Sequence, residues 1–468
     1  MRNYKPCLRN GKEMQIIMVT QQYTKRLITR IIMECETPLS LRSGAKSIIT
    51  DAEVAKDVNC LPYIPGTSLA GVLRHSVSGT EAEVLFGKSG NEDGEGSKVI
   101  FTDALILGPD GKVIDGLAEF DNNDDFYYKY THLPIRHHVA INGRGTGKDG
   151  GKFDNETVYA GTRFCFEMEV IADNDEDLSN AKAIVSNLYK ESFRIGGGTR
   201  NGYGAMKIVS CRIKEYDLTD KDGLFQYLAK SNTLADDFDG AETLFEADKL
   251  DEKYTLTIKP DDVFLFGSGH GDDQVDTTPV VEDIVEWDNN KARFVKDCAL
   301  IPASSIKGAV SHRLAFNFNK LLGRFSDIPD SDAKEADENE AVKALLGYED
   351  SDNHIRGALI FNDIIIKQPL QCCSFNHIRV DSFTAAVING ALFNEKAFFS
   401  NNESLETTIL LNRGDFERNL TIFGADCYKE KIIEALELTF NDLCNGLLPL
   451  GSLTNNGFGR FTGNWKKE

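Results

Sequence analysis

The sequence predicts an α+β protein made of two related domains in tandem, and three observations carry that expectation. Residues 64–77, IPGTSLAGVLRHSV, return at 301–314 as IPASSIKGAVSHRL. Each copy is followed by a leucine–glycine stop and then an apolar run with Phe and Asp in step, Phe101 and Asp103 in one, Phe361 and Asp363 in the other. Each half closes on a glycine-rich element, GGGTRNGYG at 196–204 and GSLTNNGFG at 451–459. Blocks that match in the same order mark an internal duplication. A chain of 468 residues is long enough for two domains with cores of their own.

The elements follow in order. A tail covers 1–18, the first domain 19–215, an acidic linker 216–250 and the second domain 251–468. Each domain opens on a strand: Thr29, Ile31 and Met33 share one face of the first, and Tyr254, Leu256 and Ile258 alternate in the other. A glycine- and acid-bearing loop leads to a helix, with Thr67 or Ser68 as N-cap in one copy and Ser304 or Ser305 in the other. Leu69, Val72 and Leu73 face inward from the first helix, and Ile306, Val310 and Leu314 from its counterpart. Strands such as the run Phe164, Phe166, Met168, Val170 come next. A second helix then carries, in domain two, the apolar stripe Ile432, Leu436, Phe440, Leu443, which is read as core. After the glycine-rich element a final strand closes each domain. Strand, helix, strands, helix, strand is the ferredoxin-like order.

Composition narrows the function. Hydrophobic content of 41% and charged content of 27% suit a globular chain. No apolar run approaches a membrane span, so no membrane partner is expected. The N-terminal residues lack a secretory signal, with Met14 and Met18 as alternative starts. Cysteines occur without a CxxC pair, which argues against a metal or disulfide framework and for a cytoplasmic protein. The net charge of −21 argues against nucleic acid at first sight. The acid is concentrated, however, in DIPDSDAKEADENE at 327–340 and in 216–250, and local basic patches survive beside such runs.

Three motifs can carry chemistry. In the glycine elements, Gly196, Gly197 and Gly198 allow main-chain N–H groups to approach a phosphate. Arg200 adds a bidentate fork, Asn201 a polar contact and Tyr203 a stacking face. Asn455, Asn456 and Gly457 are the second-copy counterparts. The competing reading is a tight turn before the last strand. The helix starts form a second group: Ser68 and Ser305 beside free N–H groups make an anion site, with Arg74, Lys307 and Arg313 as cationic heads. The third is a lone carboxylate in each upstream loop, Asp51 in SIITDAEVAKD and Asp276 in QVDTTPVVED. A free Asp, with a pKa of about 3.9, is a poor general base at neutral pH. It acts better by holding a divalent ion against a phosphodiester or by orienting a ribose 2′-OH. NGRGTGKDGG at 142–151 fails the Walker pattern and is read as a projection. His132, His137 and His138 lie close together without completing a zinc spacing.

These residues resemble the RAMP proteins of CRISPR systems, specifically the backbone subunits of type III effector complexes. IPGTSLAG and IPASSIKG match that family's helix start, and both terminal loops match its glycine-rich loop. The similarity runs from about Leu27 to Gly463 as two copies, like the fused backbone proteins of the type III-D branch. The resemblance implies tandem RAMP domains, each a modified RNA-recognition fold that grips guide RNA in a repeating filament. It implies as partners guide RNA, target RNA, neighbouring RAMP backbone subunits and a large subunit. It places the cutting aspartate on Asp51 and Asp276, both also metal ligands, with a divalent ion, Mg2+, as cofactor for attack by the target 2′-OH. It places the start of the protruding loop on Arg379 and Asp381, with Arg136 as the first-domain counterpart and His138 replacing Asp. Two departures stand out: Ala70 where Lys is usual, and Ala303 where Gly is usual.

Three other readings are weighed beside it. A guide-precursor-processing endoribonuclease of the same superfamily would use a histidine, but the clustered histidines lie away from the first helix. A non-catalytic RNA-binding scaffold would leave both aspartates inert. An acidic protein-interaction module would bind no RNA.

Overall fold

Alternation at period two, seen at Thr29–Met33 and Tyr254–Ile258, puts apolar side chains on one sheet face, and both runs become the central strands of their halves. The computed structural model describes residues 24–44, 50–77, 79–88, 94–121, 124–142, 146–246, 251–325, 333–350 and 353–468. The tail 1–18 and residues 327–332 of the acidic run lie outside them. The first half contains β1 (Lys25–Cys35), α1 (Gly66–His75), β2 (Val99–Phe101), β3 (Arg163–Ala172), α2 (Asp175–Ser186) and β4 (Met206–Asp217). Its sheet runs β2-β3-β1-β4, antiparallel throughout.

The second half repeats this with β5 (Glu252–Pro260), α3 (Ala303–Leu321), β6 (Leu359–Phe361), β7 (Leu405–Leu411), α4 (Lys429–Cys444) and β8 (Phe461–Lys467). Its sheet order, β6-β7-β5-β8, is the same. Tyr254, Leu256, Ile432, Leu436, Phe440 and Leu443 are all buried in one core, as the stripes predict. Phe164, Phe166, Met168 and Val170 are likewise buried in the other.

Two expectations are corrected. The stretch 216–250 is more than a linker: its helix Lys221–Leu228 and the short strand Ala241–Glu242 fold back, and the strand pairs with the outer edge of β4. Phe238 from this excursion packs with Ile28 and Tyr216, which is why β1 is buried on both faces. The helix starts are not capped by their own hydroxyls either. Pro65 and Pro302 occupy the N-cap positions without a side-chain bond. Instead the Gly66 N–H donates to Asp103 Oδ1 at 2.7 Å, and the Ala303 N–H to Asp363 Oδ1 at 2.7 Å. The aspartates that kept step in the sequence are the caps, satisfying from another strand a donor that the helix cannot.

A ribbon of the second half packs on the first. The antiparallel ribbon Val281–Asp288/Lys291–Ile301 lies across the first half. Trp287 Nε1 donates to the Gly161 carbonyl at 2.7 Å, and the Arg163 guanidinium stacks 4.3 Å from the Trp287 ring centroid. A Cβ at Gly161 would lie 1.8 Å from the Val285 carbonyl, so this close approach requires glycine. A hairpin also projects from each half, Ile135–Ile141 with Gly147–Glu156 and Cys372–Val380 with Val387–Phe399.

Candidate nucleic-acid interface

The glycine elements share one backbone design. Gly196 and Gly451, Gly198 and Leu453, Gly202 and Gly457, and Gly204 and Gly459 all have positive φ. At Gly204 and Gly459 a Cβ would come within 2.0 and 1.9 Å of the carbonyls of Ile195 and Leu450, so both closing turns exclude any other residue. The two copies differ in surroundings. Asn455, Asn456 and Gly457 are exposed, whereas the first loop is covered by the second half.

That covering reassigns several residues expected to face phosphate. Arg200 is buried, with Nε donating to the Gly357 carbonyl at 2.7 Å and an ion pair to Asp415 at 2.8 Å. Burial, with Arg356 nearby, lowers its pKa to about 10. Asn201 Oδ1 accepts from Lys307 Nζ at 2.9 Å, and burial beside Arg200 lowers this ammonium to about 8. Arg313 pairs with Asp442 at 2.7 Å and stacks over Phe316.

Arg136 is buried and paired with Glu282 and, at 2.8 Å, with Asp363. Burial opposes its charge, but these carboxylates outweigh that and hold it well above the usual arginine value. It is not the counterpart of Arg379 either. In the hairpin registers His138 faces Phe153 and His377 faces Phe393, each stacked ring on ring at 4.8 and 4.9 Å. That alignment puts Arg136 level with Phe375. Arg379 is exposed near the hairpin tip, where Asp381 Oδ1 accepts from the N–H groups of Phe383 and Thr384.

What remains open at the first half is a cleft of about 850 Å³. Ser68, Gly196 and Gly197 line it, so the helix start and the glycine loop of the first half share one cleft. Arg194, the paired Arg200 and the carboxylate of Asp415 also reach this lining, and Arg42, Lys190 and Arg356 complete it, giving a net basic concavity on an acidic chain. These three were missed because they stand singly in the sequence, and Arg356 comes from the other half. Arg74 lies outside this lining, exposed, with one bond to the Gly87 carbonyl at 3.2 Å. Ser305 is half-buried at its helix start.

The loop aspartates form the second part. The Asp51 N–H donates to the Asp154 carbonyl, and the Asp154 N–H returns to Asp51 Oδ2 at 3.1 Å. Asp276 repeats this against Asn394, whose N–H donates to Asp276 Oδ2 at 2.8 Å. The next residues form matching parallel bridges, Ala52 to Asn155 and Thr277 to Glu395. Each carboxylate is therefore exposed and fixed beside a projecting hairpin. Among the described residues no three His, Cys, Asp or Glu side chains converge on a metal position. One carboxylate per site fits Mg2+ only in the mode where substrate phosphates supply further ligands.

The three histidines separate. His132 stacks on Tyr128 at a helix end, and His138 Nε2 bonds the Tyr203 hydroxyl at 2.7 Å. Burial, then Arg136, lowers the His138 pKa to about 4. His137 alone points to the Asp51 site, through Asp154.

A family model, the RAMP superfamily, matches residues 32–207 and 262–462, one region in each half. No curated protein matches the chain. No helix among the described residues is long and apolar enough to cross a membrane.

Proposed function

Because the chain belongs to the RAMP superfamily, we propose that it is a double backbone subunit of a CRISPR ribonucleoprotein of the type III class, binding guide RNA and cutting complementary target RNA. The strand order 2-3-1-4 in both halves supports reading each as a ferredoxin-like RAMP domain. The fusion of two copies is what favours the type III-D branch.

The observation that carries the reading is the repeated geometry of Asp51 and Asp276, each exposed, held by a hairpin amide and set where its half projects a β-hairpin. RNA phosphates would enter the basic cleft at Ser68, Gly197, Lys190 and Arg356, contacts that position a strand without reading its sequence. Asp51 and Asp276 would each hold a divalent ion together with the scissile phosphate, and such an ion stabilises developing charge on phosphoryl oxygens. Asp381 keeps the second hairpin tip turned, presenting Arg379 and the fully exposed Phe383 to a bound duplex. The buried joint between the halves, glycine loop against helix start, supports neighbouring RAMP subunits as partners. The exposed Asn455–Gly457 loop of the second half and the exposed Asp103 of the first offer the two faces of such a joint to neighbouring subunits.

Purification from cells that carry the cognate CRISPR array tests this reading. Guide-length RNA should accompany the protein, and an intact complex without RNA would contradict it. A scaffold without cutting activity is the second reading, favoured by the single carboxylate at each site.

A further inference from the structure

The joint between the halves is a template for what the two open faces of the chain accept. In it the first glycine loop meets the second helix start so closely that a Cβ at Gly202 would lie 2.5 Å from Ala303 Cβ and 2.7 Å from Asp363 Oδ1. Cations close the contact. The Arg136 guanidinium lies 5.0 Å from the Tyr203 ring centroid and pairs with Asp363, and Lys307 Nζ donates to Asn201 Oδ1. A Cβ at Gly457, the second-copy counterpart of Gly202, would meet nothing within 4 Å, so that loop is an unfilled copy of the same face. At the other open face Asp103 caps Gly66 as Asp363 caps Ala303, and it is exposed. These two open faces do not match each other. Tyr203 corresponds to Phe458 and Arg136 to Phe375, and the Phe375 and Phe458 rings meet edge to face at 5.2 Å. A phenyl ring therefore sits where the first half presents a guanidinium. Lys307 corresponds to Ala70, so this position of the first half offers no ammonium to Asn456.

We infer that the Asp103 face docks a different subunit, one whose hairpin brings an arginine to Asp103, and that it rejects a second copy of this chain. The inference rests on the reading of the chain as a backbone subunit with neighbours of its own kind of fold. By the template, docking a second copy buries the Asp103 carboxylate against Phe375, and a carboxylate taken out of water without a cation is strongly disfavoured. Arginine is the cation that suits the place. Its planar fork bonds one carboxylate oxygen while the other caps the helix, as Arg136 and Asp363 show inside the chain. Attraction to the right neighbour is thereby coupled to a stranded charge against the wrong one, which is how an interface discriminates. The chain occupies one place in a row of unlike subunits instead of repeating along it.

The test is sedimentation velocity on the full chain without RNA, with a second copy of the chain as the probe. The parent should remain a monomer. Phe375→Arg combined with Ala70→Lys supplies both missing cations and should tighten self-association by at least about 10-fold, a modest value for a close charge pair. Adding Asp103→Asn, which keeps an oxygen for the Gly66 N–H, should reverse that gain. In the otherwise unchanged chain the same Asp103→Asn should leave association as it was or tighten it, so the sign of its effect depends on the arginine. This single surface change also serves if the combined variant fails to fold, which circular dichroism reads. No gain in a folded combined variant, a gain that survives Asp103→Asn, or parent assembly that Asp103→Asn weakens would overturn the inference. These measurements report on the joint alone, whereas an intact complex without guide RNA would sink the backbone reading itself.

Discussion

Asp363 and Arg136 meet at 2.8 Å across the boundary between the halves, and the other carboxylate oxygen of Asp363 caps helix α3 through the Ala303 N–H at 2.7 Å. One buried side chain therefore fixes a helix start and the position of the neighbouring half. Asp103 makes the same cap to Gly66 but is exposed and has no arginine among its recorded partners. The duplicated motif has thus become structural glue in one copy and remained accessible in the other.

That difference has a stability consequence. Removing one partner of a buried ion pair strands a charge, at a cost of roughly 3–5 kcal/mol. Arg136→Met should destabilise the protein by that order in urea denaturation. Asp103→Ala, which removes only an exposed cap, should cost about 1 kcal/mol.

His138 predicts a pH dependence. Its folded pKa is lowered from 6.5 to about 4, so between those values the unfolded chain binds more protons than the folded one. Stability then rises with pH across this window and is lost as pH falls through it. The lowering corresponds to roughly 3 kcal/mol at 1.36 kcal/mol per pH unit. His138→Gln should flatten the loss of urea stability between pH 6.5 and 4 relative to the parent.

Much of this was legible in the sequence, for a physical reason. Duplication copies whole patterns, so the paired helix starts, Phe–Asp steps and glycine turns announced two equivalent halves before any contact was known. The caps were misplaced because a hydroxyl beside a helix start is a local signal, whereas Asp103 and Asp363 reach it from a distant strand. Arg136 read as a phosphate ligand because sequence gives charge without burial. The Arg42–Lys190–Arg356 cleft was invisible because its cations are scattered over more than 300 positions of the chain. His137 was noticed with its neighbours, but its link to Asp51 runs through Asp154, which no spacing rule connects.

The cleft makes a salt-dependent prediction. Each phosphate neutralised on a single strand contributes about 0.7 to the slope of log affinity against log salt. Lys190→Ala with Arg356→Ala should weaken guide-RNA binding uniformly across sequences and reduce that slope by about 1.4. Filter binding over a salt series reads both quantities, and an unchanged slope would remove RNA from this cleft.

Asp276 should act independently of the first site. Asp276→Ala should abolish one of two target cuts in magnesium while leaving guide binding and the other cut intact. Loss of both cuts would mean that the halves do not act as separate sites.

The central claim, that RNA runs through the basic cleft of the first half and past the two aspartate loops, is tested most directly by ultraviolet crosslinking of the RNA-loaded protein. Mass spectrometry of the adducts locates the contacts. The account predicts crosslinked peptides that include Lys190–Gly197, Arg356 and the loop around Asp276. Crosslinks confined to other surfaces, or none in a complex that holds RNA, would contradict it.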